Sequence, residues 1–429
     1  MVATHKSILI RQATIIDSTS PFHGKVVDVL IEGSKIISIA KRLSHKASLE
    51  ISIPNLHLSQ GFIDVFADYC EPGYEQKETI VSGKKAAAAG GFTQVFLAPN
   101  TSPSISTKSS VNYIVHTNQH HPVQAFPIGS LTQQIEGKAL AEMYDMKTAG
   151  AVAFSDGWKP LQYAGLMLKA LEYVKAFDGV VIQLPVDASL ASGGLMHEGA
   201  TSTRLGMPGV PILAETSILH RDIELLRYTQ SKLHISGLST AEGVGMIRKA
   251  KKEGLQITCS VTPYHLVLSD ASLQDYDSLY KVTPVLRSEK DRQALIKGLA
   301  DGTIDSIASH HRPQEWDAKA KEFEYAADGM NIQEIAFSIV HNTIGDKVPL
   351  ERLIDAFTHA PRAIFGLPIP TINEGTTANL CLFLPNEYHT VSAEKLQSQS
   401  ANNPFIGHSL KGTIKGIIHQ QQTILNEVL

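Results

Sequence analysis

Polar and apolar residues alternate at both ends of the chain, while the middle gathers its apolar residues into short runs divided by helix-length stretches. Ser7 to Ile16, Val26 to Glu32 and, after a turn at Gly33, Lys35 to Ala40 read as strands. Near the other end, Ala378 to Leu384 has the composition of a buried strand, and Gly412 to Ile424 reads as another after the turn Asn402-Asn403-Pro404. Both ends being β predicts one small β-sandwich domain built from residues 1–57 and 371–429, around a second unit at 58–370.

That middle unit repeats strand then helix. Gly61 to Phe66 is an apolar run, followed by a helical stretch from Glu78 to Ala89. Phe92 to Ala98 precedes a helix at Ser109 to Thr117, and Ala151 to Ser155 precedes an amphipathic helix at Leu161 to Phe177. Val180 to Leu184, Leu233 to Leu238, Leu255 to Val261 and Ile304 to Ser309 are further strands, with a helix at Thr240 to Lys252 among the connections. About eight such units predict an α/β fold, a (β/α)8 barrel. A doubly wound open sheet is the second choice, because no GxGxxG turn follows the first strand. Gly90-Gly91 lies between helix and strand, where it reads as a helix cap rather than a phosphate loop.

Composition narrows the function classes. A formal charge of -4 gives no broad basic field for nucleic acid. No run of about 20 apolar residues is present, so no membrane contact is expected. The opening MVATHKSILI lacks the pattern of a cleaved signal, and Cys70, Cys259 and Cys381 are too scattered for a disulfide framework or metal knuckle. A reducing compartment, the cytoplasm, is expected. Eighteen histidines suggest metal chemistry, but His45, His57, His120 and His121 sit in polar stretches and settle nothing.

Several strings in order resemble the dihydroorotases of the amidohydrolase superfamily. They include Gly61-Phe62-Ile63-Asp64-Val65, Glu71-Pro72-Gly73, Pro99-Asn100-Thr101, Phe154-Ser155-Asp156, Val261-Thr262-Pro263 and Asn403-Pro404-Phe405. The resemblance spans nearly the whole chain and implies an amidohydrolase-type barrel with a split β domain. It also implies hydrolysis or closure of a cyclic amide, with bound zinc lowering the pKa of water from about 15.7 to about 7.

The same resemblance exposes departures. The family's His-x-His at the end of the first strand falls on Phe66 and Asp68, and the bridging carboxylate falls on Gly157 or, with an offset of one, on Asp156. The fifth-strand His and Glu fall on Leu184 and Val186, the sixth-strand His on Gly237, and the eighth-strand Asp on His310. Of the positions implied to hold the substrate, Cys70 replaces an Arg, Thr283 an Asn and Gln314 a His; Asn100 alone matches. Only Asp68 and His310 among the replaced ligand positions carry donors, and two donors fall short of the four that hold structural zinc.

The first and eighth strands of a closed barrel are neighbours, so Asp68, His310 and His311 can still gather into a rebuilt metal or acid–base site. A nucleophilic Cys70 is disfavoured by the anions Asp68 and Glu71 beside it. Asp156 and Asp187 could form a carboxylate pair for acid–base work, disfavoured for want of a substrate clamp, and His197 and His265 read as ordinary loop or core residues. Phe66 and Trp158 are expected to fill space that ligands would occupy. These replacements lead to the expectation of a non-catalytic pseudoenzyme with no cofactor, structural or regulatory in pyrimidine biosynthesis. The resemblance implies aspartate carbamoyltransferase as its partner, and a homo-oligomer, most simply a dimer, is expected. The alternative is an active cyclic amide hydrolase around Asp68, His310 and His311, with zinc.

Overall fold

The computed structural model describes residues 2–119 and 121–426, so His120 lies outside the described residues. Eight parallel strands form the central sheet in chain order: Phe62–Ala67, Phe92–Leu97, Gln124–Gly129, Ala153–Phe154, Val181–Gln183, Leu233–Ile235, Ile257–Val261 and Ser306–Ile307. The ends of this sheet meet through a bridge between Ala67 and His311. Two backbone bonds seal it, His310 N–H to Phe66 O at 3.0 Å and Asp68 N–H to His311 O at 2.8 Å. The (β/α)8 barrel predicted from the repeating pattern is therefore the observed fold.

The strands are largely apolar because both of their faces are covered. Every residue of Phe62–Ala67 is buried. Ile63, Val65, Phe66, Phe96, Ile128, Ile182 and Leu184 fill the barrel interior as one cluster, while Phe62, Phe92 and Val95 join the larger core under the helices. Burying each such aromatic or aliphatic side chain contributes about 1.5–3 kcal/mol.

Local chemistry sets the joints. The helix Ile80–Ala89 starts at Thr79, whose hydroxyl accepts from Ser82 N–H while Ser82 Oγ accepts from Thr79 N–H. The helix lies so close to the first strand that a Cβ on Gly83 would sit 2.6 Å from the ring of Tyr69. It ends at Gly90, as the Gly-Gly pair predicts, and Gly91 turns the chain at φ +87 into the second strand.

A nine-stranded sheet gathers both chain ends. Ser7–Ile15, Val26–Glu32, Lys35–Ala40, Leu49–Ile51 and His57–Gln60 come from one end, and Asn379–Thr390, Ser409–His419 and Gln422–Leu425 from the other, with Ala3–Thr4 at the edge. The apolar run 412–424 is a hairpin rather than one strand. Gln420 and Gln421 both adopt positive φ, 50° and 66°, which reverses the chain in a two-residue turn. The barrel strand Gln124–Gly129 escaped the pattern because Pro127 breaks its donor ladder while its carbonyl still accepts from Val152 N–H at 3.2 Å.

Candidate active site

The strand ends at the barrel mouth converge on one aromatic side chain. Trp158, in the loop after the fourth strand, packs edge-on against Phe66 with 5.0 Å between ring centroids and against His310 at 5.4 Å. Its indole Nε1 donates to Asp68 Oδ2 at 3.2 Å, and its face carries the guanidinium of Arg312 at 4.5 Å. Asp68 and His310, two residues brought from opposite ends of the barrel sheet, thus meet across Trp158.

Asp68 is buried to 8% exposure and its Oδ1 accepts from Cys70 N–H at 2.9 Å. Cys70 has φ +61 and His310 φ +49, left-handed conformations that a side chain with a Cβ adopts at a cost. The two strained positions lie just past the ends of the first and eighth strands, which are neighbours in the closed barrel.

His310 is held by a chain of polar groups threading the barrel. Its Nε2 lies 2.8 Å from Ser236 Oγ, which is 3.3 Å from Ser260 Oγ; His234 Nε2 lies 3.2 Å from Ser260 Oγ and its Nδ1 2.9 Å from Thr258 Oγ1. His234 and Ser236 sit two apart on one strand, and Thr258 and Ser260 two apart on the next, so each pair faces inward together. Burial pushes His310 well below its ordinary pKa, and the neighbouring His265, His234 and Arg312 act in the same direction. The ring is therefore a neutral imidazole, and its buried Nδ1 has no protein partner.

His311 is turned away from the mouth. Its Nε2 lies 3.6 Å from Glu78 Oε2, both side chains fully buried, and its ring meets Tyr69 edge-on. Burial pushes Glu78 up, but the neighbouring His311 ring and the hydrogen bond from the Ser398 hydroxyl outweigh it and leave the carboxyl below its usual range. The expected trio of Asp68, His310 and His311 is thus split, with the third member built into the scaffold.

The other predicted positions are filled or spent. Leu184 packs with Phe66 inside the barrel. Gly157 has φ +60, and a Cβ there would lie 1.8 Å from Asn100 Oδ1, so no side chain fits. Asp156 points elsewhere: its carboxylate accepts from Leu131 N–H, Thr132 N–H and Thr132 Oγ1 at 2.6–2.9 Å. Gly237 has φ +74, and its missing Cβ leaves room for the ring of His310. Asn100 braces the turn, donating to Asp156 O at 3.1 Å and accepting from Trp158 N–H at 2.9 Å. Asp187 closes its own loop through Ser189 and Leu190. His265 spans Thr262 and Val285 O, and burial lowers its pKa to about 4. His197 lies 3.4 Å from the Arg287 guanidinium, and burial lowers its pKa too. The thiol of Cys70 is pushed up by burial and by Asp68, which leaves it a protonated bystander.

Residues 57–243 match the family model described as dihydro-orotase-like. A protein named dihydroorotase from Syntrophus aciditrophicus is 37% identical over 424 residues, covering 98% of this chain and 99% of the relative. A second, from Pelotomaculum thermopropionicum, is 38% identical over 94% of this chain and 95% of its own length. The chain belongs to the dihydroorotase family. The solved L-hydantoinase (dihydropyrimidinase) of Arthrobacter aurescens shares the fold, with a TM-score of 0.87, 20% identity and coverage of 98% of this chain and 97% of that one.

Membership corrects three linked expectations. Full-length likeness to proteins named dihydroorotase points to a hydrolase, against the expected non-catalytic structural or regulatory pseudoenzyme. The same likeness overturns the expectation that no cofactor is needed, since the resemblance implies zinc for that activity. Loss of the inherited ligands from their inherited positions does not by itself remove activity, because other side chains can carry a site. The donors at the mouth do not by themselves fit a metal, however: no group of three or more His, Cys, Asp or Glu able to hold one is formed among the described residues. Asp68 is already engaged by Trp158 and Cys70, and His311 faces Glu78.

Proposed function

We propose that this dihydroorotase-family chain is a cyclic amide hydrolase whose site is rebuilt at the barrel mouth around Asp68 and His310. The observation that carries the reading is the likeness, along nearly the whole chain, to proteins named dihydroorotase. The placement of Asp68 and His310 on either side of Trp158, at strained strand ends, supports it.

Opening a cyclic amide requires a hydroxyl to add to the carbonyl carbon and the ring nitrogen to leave with a proton. In this reading Asp68 accepts the proton of the attacking water and returns it to the departing nitrogen, so the proton count closes. Trp158 holds the carboxylate in place through its indole N–H. His310, neutral and anchored at Nε2, offers Nδ1 as a fixed hydrogen-bonding group toward the reacting carbonyl or water. His311 joins the first and eighth strands through its backbone carbonyl, which accepts from Asp68 N–H, and takes no part in the proton transfer.

A cytoplasmic location belongs to the same reading, supported by three free, buried cysteines; among the described residues no helix is long and apolar enough to cross a membrane. Contact with aspartate carbamoyltransferase and self-association belong to it as well, supported by the resemblance alone. The test is turnover of dihydroorotate, followed in both the opening and closing directions with zinc supplied. Turnover lost on Asp68→Asn is the expected result, and a protein inert in both directions would overturn the reading.

A further inference from the structure

We infer that Arg312, laid over the indole of Trp158, is the carboxylate-binding residue of this barrel mouth. The inference rests on the hydrolase reading for where the ligand lies, but the binding it describes does not require turnover.

Arg312 follows His310 by two residues. Its main chain is fixed on both sides, N–H to Met330 O at 3.0 Å and carbonyl from Asn402 Nδ2 at 3.1 Å. Its guanidinium carbon lies 4.5 Å from the Trp158 ring centroid. Among the described residues its guanidinium forms no ion pair or hydrogen bond with a protein group. The other half-buried or buried arginines are engaged, among them Arg221 with Asp222, Arg248 with Asp301, Arg287 with Val210 O, and Arg362 with Gln94 and Gly61 O. The nearby lysines are spent on carbonyls, Lys281 on Glu324 and Ala326, and Lys319 on Ala327 and Gly329.

A guanidinium stacked on an aromatic face keeps its in-plane N–H groups free, and that fork matches a carboxylate in two parallel bonds. The platform is rigid, because Trp158 is held at its edge by Asp68 and at its backbone by Asn100. Half-burial strengthens the attraction relative to open water.

The positions that the resemblance implied to hold the substrate offer no alternative. Cys70 is an uncharged thiol. Thr283 donates to Asp328 Oδ2 at 2.5 Å, Gln314 donates to Asp328 O at 2.7 Å, and Asn100 is engaged in its turn through both its amide nitrogen and its oxygen. The ligand class is therefore a cyclic amide bearing one carboxylate, together with its ring-opened product. A neutral ring of the same shape leaves the guanidinium unmatched.

The experiment is calorimetric binding of dihydroorotate and of the uncharged dihydrouracil to the full-length protein and to Arg312→Gln and Arg312→Lys. The expected result is a preference of about tenfold or more for the charged ring, as a charge-assisted bond gives, lost in the Gln variant and partly kept in the Lys variant. Matching melting curves identify the variants as folded, and the Lys variant carries the comparison if the Gln variant is not. A preference unchanged in Arg312→Gln, or no preference in the parent protein, overturns the inference. Turnover whose charge preference ignores Arg312 sinks this inference and leaves the hydrolase reading standing. Arg312-dependent binding without turnover does the reverse.

Discussion

The imidazole of His310 stands in the space that a side chain at Gly237 would need: a Cβ built there would lie 2.6 Å from its Cε1. The two positions belong to neighbouring parts of the mouth, and each residue is the condition for the other. A glycine at 237, with φ +74, lets the ring reach Ser236 Oγ.

Gly237→Ala should therefore destabilise the protein by about 2–4 kcal/mol, combining left-handed backbone strain with the overlap on His310. Removing the ring by His310→Ala relieves only the overlap. A double-mutant cycle by denaturant unfolding should show coupling of about 1 kcal/mol or more between the two sites. Strict additivity would mean that the ring does not occupy that space.

Glu215 is the acceptor that ties the sixth strand to the helix packed beside it. Fully buried, it accepts from Ser239 and Thr240 through both backbone N–H groups and both hydroxyls, at 2.5–3.0 Å. Burial raises its pKa, and Arg287 and these hydroxyls draw it back. Glu215→Ala should cost about 3–5 kcal/mol, because four donors lose their buried acceptor together and the charge nearest the Arg287 guanidinium is removed. A melting temperature close to the parent's would contradict that assignment.

Acid should weaken the fold through its interior histidines. Burial lowers His234 to about 3 and His265 to about 4, against about 6.5 when unfolded. The unfolded chain therefore takes up protons first as pH falls. The contribution of these groups is complete above pH 6.5 and is lost as pH drops toward the folded values, with a slope near 1.4 kcal/mol per unit for each fully buried ring. Unfolding free energies measured between about pH 7 and 4.5 should decline, and His234→Gln should reduce the slope. A profile flat over that range would contradict the burial of these rings as neutral groups.

The barrel was legible in the sequence because strands covered on both faces leave largely apolar runs such as Phe62–Ala67, polar only at Asp64, and helices such as Ala241–Lys252 keep a buried stripe. The strand at Gln124–Gly129 was hidden by Pro127, and the hairpin at Gln420-Gln421 by the lack of glycine or asparagine where two positive φ angles occur. Within the site, Phe66, Asp68, Gly157, Leu184, Gly237 and His310 could be found by register with a family pattern. Their new partners could not, because Trp158 over Asp68, Arg312 over Trp158 and His311 against Glu78 are contacts between distant segments. The inward spacing of His234 and Ser236 was the one visible trace of the polar chain behind His310.

The most direct test of the central claim compares the parent protein with Asp68→Asn in dihydroorotate turnover, at equal folded concentration and with zinc supplied. The Asn side chain preserves the shape at the mouth and the acceptor for Cys70 N–H while removing the base. Measurable turnover in the parent, reduced by about 10²–10⁴ in the variant, is the predicted result. No turnover in the parent, or equal turnover in both proteins, would contradict it.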